Sequence, residues 1–199
     1  MVDFIKVYWR DKTIIEPFVT DPQNFETLYS VLEEHSGEIK YPKRANIENM
    51  LIVISANSGY VKNSIHKFYN LIKDSEEHNY NDFTYSNLCY SIDTLASKLT
   101  NIDSAIVTQL EFGFNIPTPK PAEIIIERMV LMHLYKGANH NKEFHGNGKL
   151  KQFDHSTYLI KIYDKAKQYS LNQNILRFEL KLFSQRDLKF MGVNQLIDL

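Results

Sequence analysis

The chain reads as an α+β protein: an antiparallel sheet with helices packed on one face. Three observations carry that expectation. Three segments alternate with the two-residue period of half-buried strands: Ala105 to Ile116, Tyr158 to Lys165 and Ile175 to Leu182. Stretches with helical spacing follow Thr84 and Pro121. The whole is 199 residues with 43% hydrophobic content, enough for one well-cored domain and too little for a second large one.

In chain order, Asp3 to Trp9 predicts an opening strand, and a loop containing Pro and Asp follows it. Phe25 to Glu34 reads as an acidic helix. Glu38 to Tyr60 reads as strands, with Met50 to Ser55 the most buried. Asn57-Ser58-Gly59 signals a turn in which Gly59 can take positive φ. Asp74 to Asp82 is polar and reads as a mobile loop. Thr84 is a candidate N-cap for a helix through Leu99, with Leu88, Ile92, Leu95 and Leu99 on one stripe. Pro117 and Pro119 break the chain after the third-strand candidate. Pro121 can start a second helix, with Ile124, Ile125, Met129 and Leu134 inward and Gly137 as its stop. Met129, Met132 and His133 in that stretch read as core and rim. Residues 138 to 152, which include His140 and His145, read as a hairpin or loop.

The alternation sorts chemistry onto one side. In the last strand Leu176, Phe178, Leu180 and Leu182 point one way, and Ile175, Arg177, Glu179 and Lys181 the other. Lys161, Tyr163 and Lys165 share a side of the preceding strand. In Ala105 to Ile116, Val107, Gln109, Glu111, Gly113 and Asn115 share a face, and Gly113 leaves room for a ligand or backbone to approach. If these strands lie in one sheet, Glu111, Glu179 and Tyr163 converge. Carboxylates are hard oxygen ligands for magnesium or manganese, which polarise phosphoryl oxygens. His155, just before the second strand, is the candidate third ligand. The blander reading of the same pattern is packing tyrosines and surface ion pairs.

Net charge is −1, which argues mildly against nucleic-acid binding. The charge is uneven: from residue 140 onward 10 Lys and Arg face 6 Asp and Glu, against 13 and 18 before it. One cysteine, Cys89, excludes an internal disulfide and suits a reducing cytoplasm. No apolar run approaches the ~18 residues of a membrane span, and no signal peptide is evident, so no membrane partner is expected.

Four segments resemble the replication initiators of the gene II type, the rolling-circle enzymes of filamentous phages and related plasmids. They are the opening Met1-Val2-Asp3-Phe4-Ile5-Lys6-Val7, the stretch Val61 to Phe83, the strand Leu110 to Ile116, and the pair IKIYDKAKQ and ILRFELKLFSQRDLKFMGV. The resemblance implies a fold related to rolling-circle initiators and relaxases. It makes Tyr163 the nucleophile and Glu111 and Glu179 acidic metal ligands, with Mg²⁺ or Mn²⁺ as cofactor. Lys165 joins the catalytic set, and Lys161, Arg177, Lys181 and Lys67 are expected to contact DNA. The chain departs from the family in carrying Glu111 where Asp is common. It also lacks the His-hydrophobic-His triplet of the better-known initiators.

The reading implied is a site-specific single-strand DNA endonuclease and ligase forming a 5′-phosphotyrosine intermediate. Its partners are single-stranded or hairpin DNA at a replication origin and the host replication machinery, in the cytoplasm of a bacterial cell. The alternative is a non-catalytic origin-binding or regulatory domain using the same sheet. An RNA-binding module of the RRM kind fits less well, because FELKLF lacks that family's glycines. Residues 1–199 read as a single nicking domain. Met191 to Leu199 looks like the start of a helix, where the resembling proteins continue, so an excised domain or a short family member is expected.

Overall fold

A computed structural model describes residues 1–25, 27–129, 131, 132, 134, 136–138, 140–143 and 148–199. The elements run β1 (Val2–Trp9), α1 (Glu16–Thr20), β2 (Tyr29–Leu32), β3 (Ile39–Ile47), β4 (Met50–Ile54), β5 (Gly59–Ser64), α2 (Ile65–Asp74) and α3 (Tyr85–Lys98). They continue with β6 (Ile106–Pro117), α4 (Ala122–Arg128), β7 (Leu131–Met132), β8 (Lys136–Gly137), β9 (His140–Glu143), β10 (Lys149–Asp154), β11 (Tyr158–Asp164), α5 (Lys165–Gln168), β12 (Ile175–Leu182) and α6 (Gln185–Phe190). Ten strands form one antiparallel sheet in the order β2-β3-β4-β5-β1-β6-β12-β11-β10-β9. The fold is α+β, as the alternation predicts.

The register identifies the apolar face. Ile5 lies opposite Leu110, which lies opposite Leu182. Val7 lies opposite both Val61 and Val107. These side chains share one buried cluster with Ile65 and Phe68 of α2, Leu88 and Leu95 of α3, and Leu188 of α6. On the same face, Ile160, Ile162 and Leu176 pack with Ala122 and Ile126 of α4. Helices α2, α3, α4 and α6 therefore lie on one face, and the opposite face of the central strands carries the polar side chains.

Local chemistry sets the helix ends. Thr84 caps α3 by accepting from the amide of Asn87, as the sequence predicts. Ser64 caps α2 by accepting from Lys67 N at 3.1 Å, while its hydroxyl donates to Asp3 Oδ1 at 2.6 Å. One side chain thus starts a helix and fixes an acid on the sheet. Trp9 is buried in the core, its indole N–H satisfied by the carbonyl of Asn101 at 3.0 Å.

Several expectations are corrected. The stretch expected as an acidic helix from Phe25 to Glu34 contains the edge strand β2, which pairs with β3 through a hairpin closed by Gly37 N to Glu33 O at 2.8 Å. The helix expected from Pro121 to Gly137 ends at Arg128. Met129 is extended, Lys151 Nζ donates to the Glu127 carbonyl at 3.2 Å, and Leu134 takes positive φ and is exposed. Ala122 and Ile126 are the residues of α4 buried in the core. Gly59 sits in β5 without positive φ; a Cβ there would lie 2.7 Å from Ile15 Cγ2, so close packing is what requires glycine. The polar stretch after Asp74 is tied down by hydrogen bonds, including Asn70 Nδ2 to the His78 carbonyl at 2.7 Å and Asn81 Nδ2 to Asn70 Oδ1 at 3.0 Å. Past α6 the chain forms a short 3-10 turn, Leu196–Asp198. His133, His145 and the side chain of His140 lie outside the described residues.

Candidate active site

The four central strands β1, β6, β12 and β11 bring the polar face together. Glu179 lies opposite Gly113 on one side and Lys161 on the other. Arg177 lies opposite Asn115 and Tyr163, and Lys181 opposite Glu111. Asp3 arrives by a different route. The β1 to β6 register shifts between Val2 and Phe4, an irregularity that brings the Asp3 carboxylate to the other acids. Without it, Asp3 would alternate with Ile5, Val7 and Trp9 into the core.

Asp3, Glu111 and Glu179 form a buried cluster whose carboxylate oxygens lie within 4.8 Å of one another. Arg177 lies beneath them, fully buried, over Gly113: a Cβ on that glycine would fall 1.9 Å from Nη2. The space left by glycine is thus filled by a guanidinium from the next strand. Arg177 donates through Nη2 to Asp3, through Nε to Glu179 Oε1 at 3.2 Å, and through Nη1 to Asn115 Oδ1 at 2.9 Å. Burial opposes its charge, but Asp3 and Glu179 more than compensate and raise its pKa. Burial likewise opposes the Asp3 carboxylate, but Arg177 and the Ser64 and Asn79 hydrogen bonds hold its pKa below the ordinary value.

Lys161 Nζ bridges Glu111 Oε2 at 3.3 Å and Glu179 Oε2 at 3.4 Å. Arg177 and Lys161 are the cations within ion-pair distance of these carboxylates. Burial, and then the Glu179 charge, raise the Glu111 pKa to about 7. Hard oxygen donors clustered in this way fit a magnesium or manganese ion. Among the described residues this is the acidic group that could hold a metal.

Beside the acids, Tyr163 O–H donates to Glu179 Oε1 at 2.7 Å and accepts from Lys165 Nζ at 3.2 Å. Burial and the negative charge of Glu179 push the phenol pKa well above its ordinary value. Lys165, the first residue of α5, is fully buried; burial, and then the nearby Arg177, lower its pKa to about 7. Asn79 ties the two groups together. Its Nδ2 donates to Asp3 Oδ2 at 2.8 Å, and its Oδ1 accepts from Lys165 Nζ at 2.6 Å and from Tyr169 O–H at 2.9 Å. Asp3, Glu111, Glu179, Tyr163, Lys165 and Asn79 border an open cleft of about 750 Å³, with Arg177 enclosed beneath it.

The structure therefore brings together Tyr163, Lys165, Glu111, Glu179, Lys161, Arg177, Lys67 and Lys181. Lys67 borders the cleft and pairs with Glu77 at 3.0 Å. Lys181 borders it with its ammonium 3.9 Å from the Phe4 ring centroid. His155 is not brought there. It stacks on Tyr158 at 4.3 Å, the residue that begins β11, about 16 Å of strand away from Tyr163. The third carboxylate is Asp3. Its sequence signal was an acid in line with Ile5, Val7 and Trp9; Asn79, in a loop, carried no periodic signal.

No family model matches the chain, and no curated protein matches it in sequence. A rolling circle replication initiator protein from Geobacillus stearothermophilus is similar in structure, with a TM-score of 0.51 and 12% identity. The alignment covers 96% of this chain and 78% of that one. At that identity the likeness speaks for architecture: the chain has the fold of a rolling-circle replication initiator.

Proposed function

We propose that the chain is an initiator of the gene II type that nicks and rejoins single-stranded DNA through Tyr163. The observation that carries the reading is the Tyr163 hydroxyl held between Glu179 and Lys165 beside three clustered carboxylates. In this reading Glu179 takes the phenol proton, and the Lys165 ammonium steadies the phenolate. The phenolate oxygen attacks the scissile phosphorus, the bond from phosphorus to the 3′ oxygen breaks, and that oxygen leaves and takes up a proton. The 5′ phosphate stays on Tyr163, and reversal of the same steps rejoins the strand. Asp3, Glu111 and Glu179 would hold a divalent ion, which supplies Lewis-acid polarisation of a phosphoryl oxygen. Arg177, fully enclosed, positions the acids, and Asn79 holds Asp3 and Lys165 in place through its two hydrogen bonds. Origin DNA is the substrate, and host replication proteins would extend the freed 3′ end.

One observation favours a non-catalytic origin-binding reading: Tyr163 is only 5% exposed. A cleavage assay decides between them. Labelled single-stranded oligonucleotides covering diverse sequences, with Mg²⁺ or Mn²⁺, are expected to yield shortened strands and a denaturation-resistant protein adduct. Binding without cleavage across the panel would favour the origin-binding domain.

A further inference from the structure

The polar face continues beyond the acidic centre, across β1 to β5, β4 and β3. Lys6 and Lys62 are directly opposed on β1 and β5, in a row with Gln109 and Leu51. Like charges directly opposite each other destabilise a sheet, yet among the described residues neither ammonium has a carboxylate partner. The next row holds Tyr8, Tyr60, Val53 and Arg44, again with no acid. Both lysines lean on the Tyr60 ring instead, at 4.3 Å for Lys6 and 5.6 Å for Lys62. On the cleft side, the adjacent row holds Ser64, Phe4, Glu111 and Lys181, of which Phe4 and Lys181 stack against each other and border the cleft.

We infer that Lys6, Lys62 and Tyr60, continuous with Phe4 and Lys181, form a track that leads single-stranded DNA into the cleft; this rests on the nicking function proposed above. A contact between ammonium and ring is weaker than a charge-assisted hydrogen bond to phosphate. A phosphate therefore draws the lysines off and relieves their mutual repulsion, and their departure bares the ring for a base. An acidic peptide would satisfy the charges and leave the ring unused. A stiff duplex would reach the phosphate sites without stacking. A single strand uses both features, which is how sequence-tolerant strand binding works. Burial, and then Lys62, lower the Lys6 pKa, which agrees with an ammonium lacking a counter-charge.

The test is fluorescence anisotropy with labelled oligothymidylates of about 6 and about 16 nucleotides, lengths spanning a typical strand-binding site. The proteins are wild type, Lys6→Gln with Lys62→Gln, Lys6→Arg with Lys62→Arg, and Tyr60→Leu. The Gln pair is expected to weaken the longer oligonucleotide at least tenfold and to reduce the log–log salt slope by about 1.4, two phosphates at roughly 0.7 each. The Arg pair should keep the wild-type slope, which separates lost charge from misfolding. Tyr60→Leu should weaken binding without changing the slope. An unchanged slope in the Gln pair overturns the track. So does duplex DNA binding as tightly with the same dependence on both lysines. The adduct assay on wild type separates the two claims: a lysine-dependent slope without an adduct sinks the nicking chemistry, whereas an adduct with an unchanged slope sinks the track alone.

Discussion

Gly113→Ala is expected to be among the most damaging small substitutions in this protein, although it adds one methyl group on a polar face. The added Cβ would lie 1.9 Å from Arg177 Nη2, 2.2 Å from Cζ and 2.7 Å from Nε. Ordinary contacts between such atoms are about 3.5 Å or more, so the guanidinium must retreat by roughly 1.5 Å. Its bonds to Glu179 at 3.2 Å and Asn115 at 2.9 Å do not survive such a shift. Three buried carboxylates then lose their central cation. Breaking a buried ion pair from one side costs about 3–5 kcal/mol, and that is the expected loss of unfolding free energy. Urea unfolding followed by circular dichroism measures it, with Gly137→Ala as the control, since a Cβ there meets nothing within 4 Å. In the Arg177→Met background, Gly113→Ala should add little further cost, because the group it displaces is already gone. A loss below about 1 kcal/mol, or full additivity of the two substitutions, would refute the reasoning.

Three further outcomes follow from the same geometry. Asn79→Leu removes one buried hydrogen bond each from Asp3, Lys165 and Tyr169; it should cost about 1–3 kcal/mol in urea melts, and an unchanged midpoint would mean that water replaces the amide fully. Lys161→Gln removes the ammonium shared by Glu111 and Glu179, so Mn²⁺ affinity at pH 8, read by electron paramagnetic resonance, should rise at least ~10-fold; weaker binding would mean that Lys161 organises the acids rather than competing for them. His66 is fully buried against Phe83, and burial lowers its pKa to about 4, so the unfolded chain takes a proton that the folded chain refuses. Its stabilisation is complete above the ordinary value of about 6.5 and is lost as pH falls toward 4, by about 1.4 kcal/mol per unit. Glu111, with its raised pKa, pushes stability the other way on acidification, so the quantity to measure is wild type minus His66→Gln at pH 7 and pH 5. A difference that does not shrink between those values would contradict the burial argument.

The chemistry of β11 and β12 was legible because both strands are half-buried, and period-two alternation reports directly which side chains share a face. The position of Glu111 was legible for the same reason. Asp3 was not, because a register irregularity in β1 moves it off the face that alternation assigns. Asn79 acts through a loop, where contact depends on tertiary packing and no period exists to read. The edge strand β2 depends on its hairpin with β3, so local charge and spacing pointed to a helix instead. The helix α2 was legible in principle: Ile65, Phe68, Tyr69 and Ile72 carry helical spacing behind the Ser64 cap, though it was not among the elements expected. Sequence halves also misled about charge, since Lys6 and Lys62 of the acidic half share the polar face with Lys161 of β11 and Lys181 of β12.

The most direct measurement of the central claim is the identity of the residue that carries DNA after cleavage. Wild type incubated with a cleavable single strand and Mn²⁺, digested and read by mass spectrometry, should yield one peptide bearing a nucleotide phosphate on Tyr163, and Tyr163→Phe should yield none. Tyr169 is the neighbour best placed to compete, its hydroxyl on Asn79 at the edge of the same cleft. A phosphate mapped to Tyr169, or an undiminished adduct in Tyr163→Phe, would contradict the account.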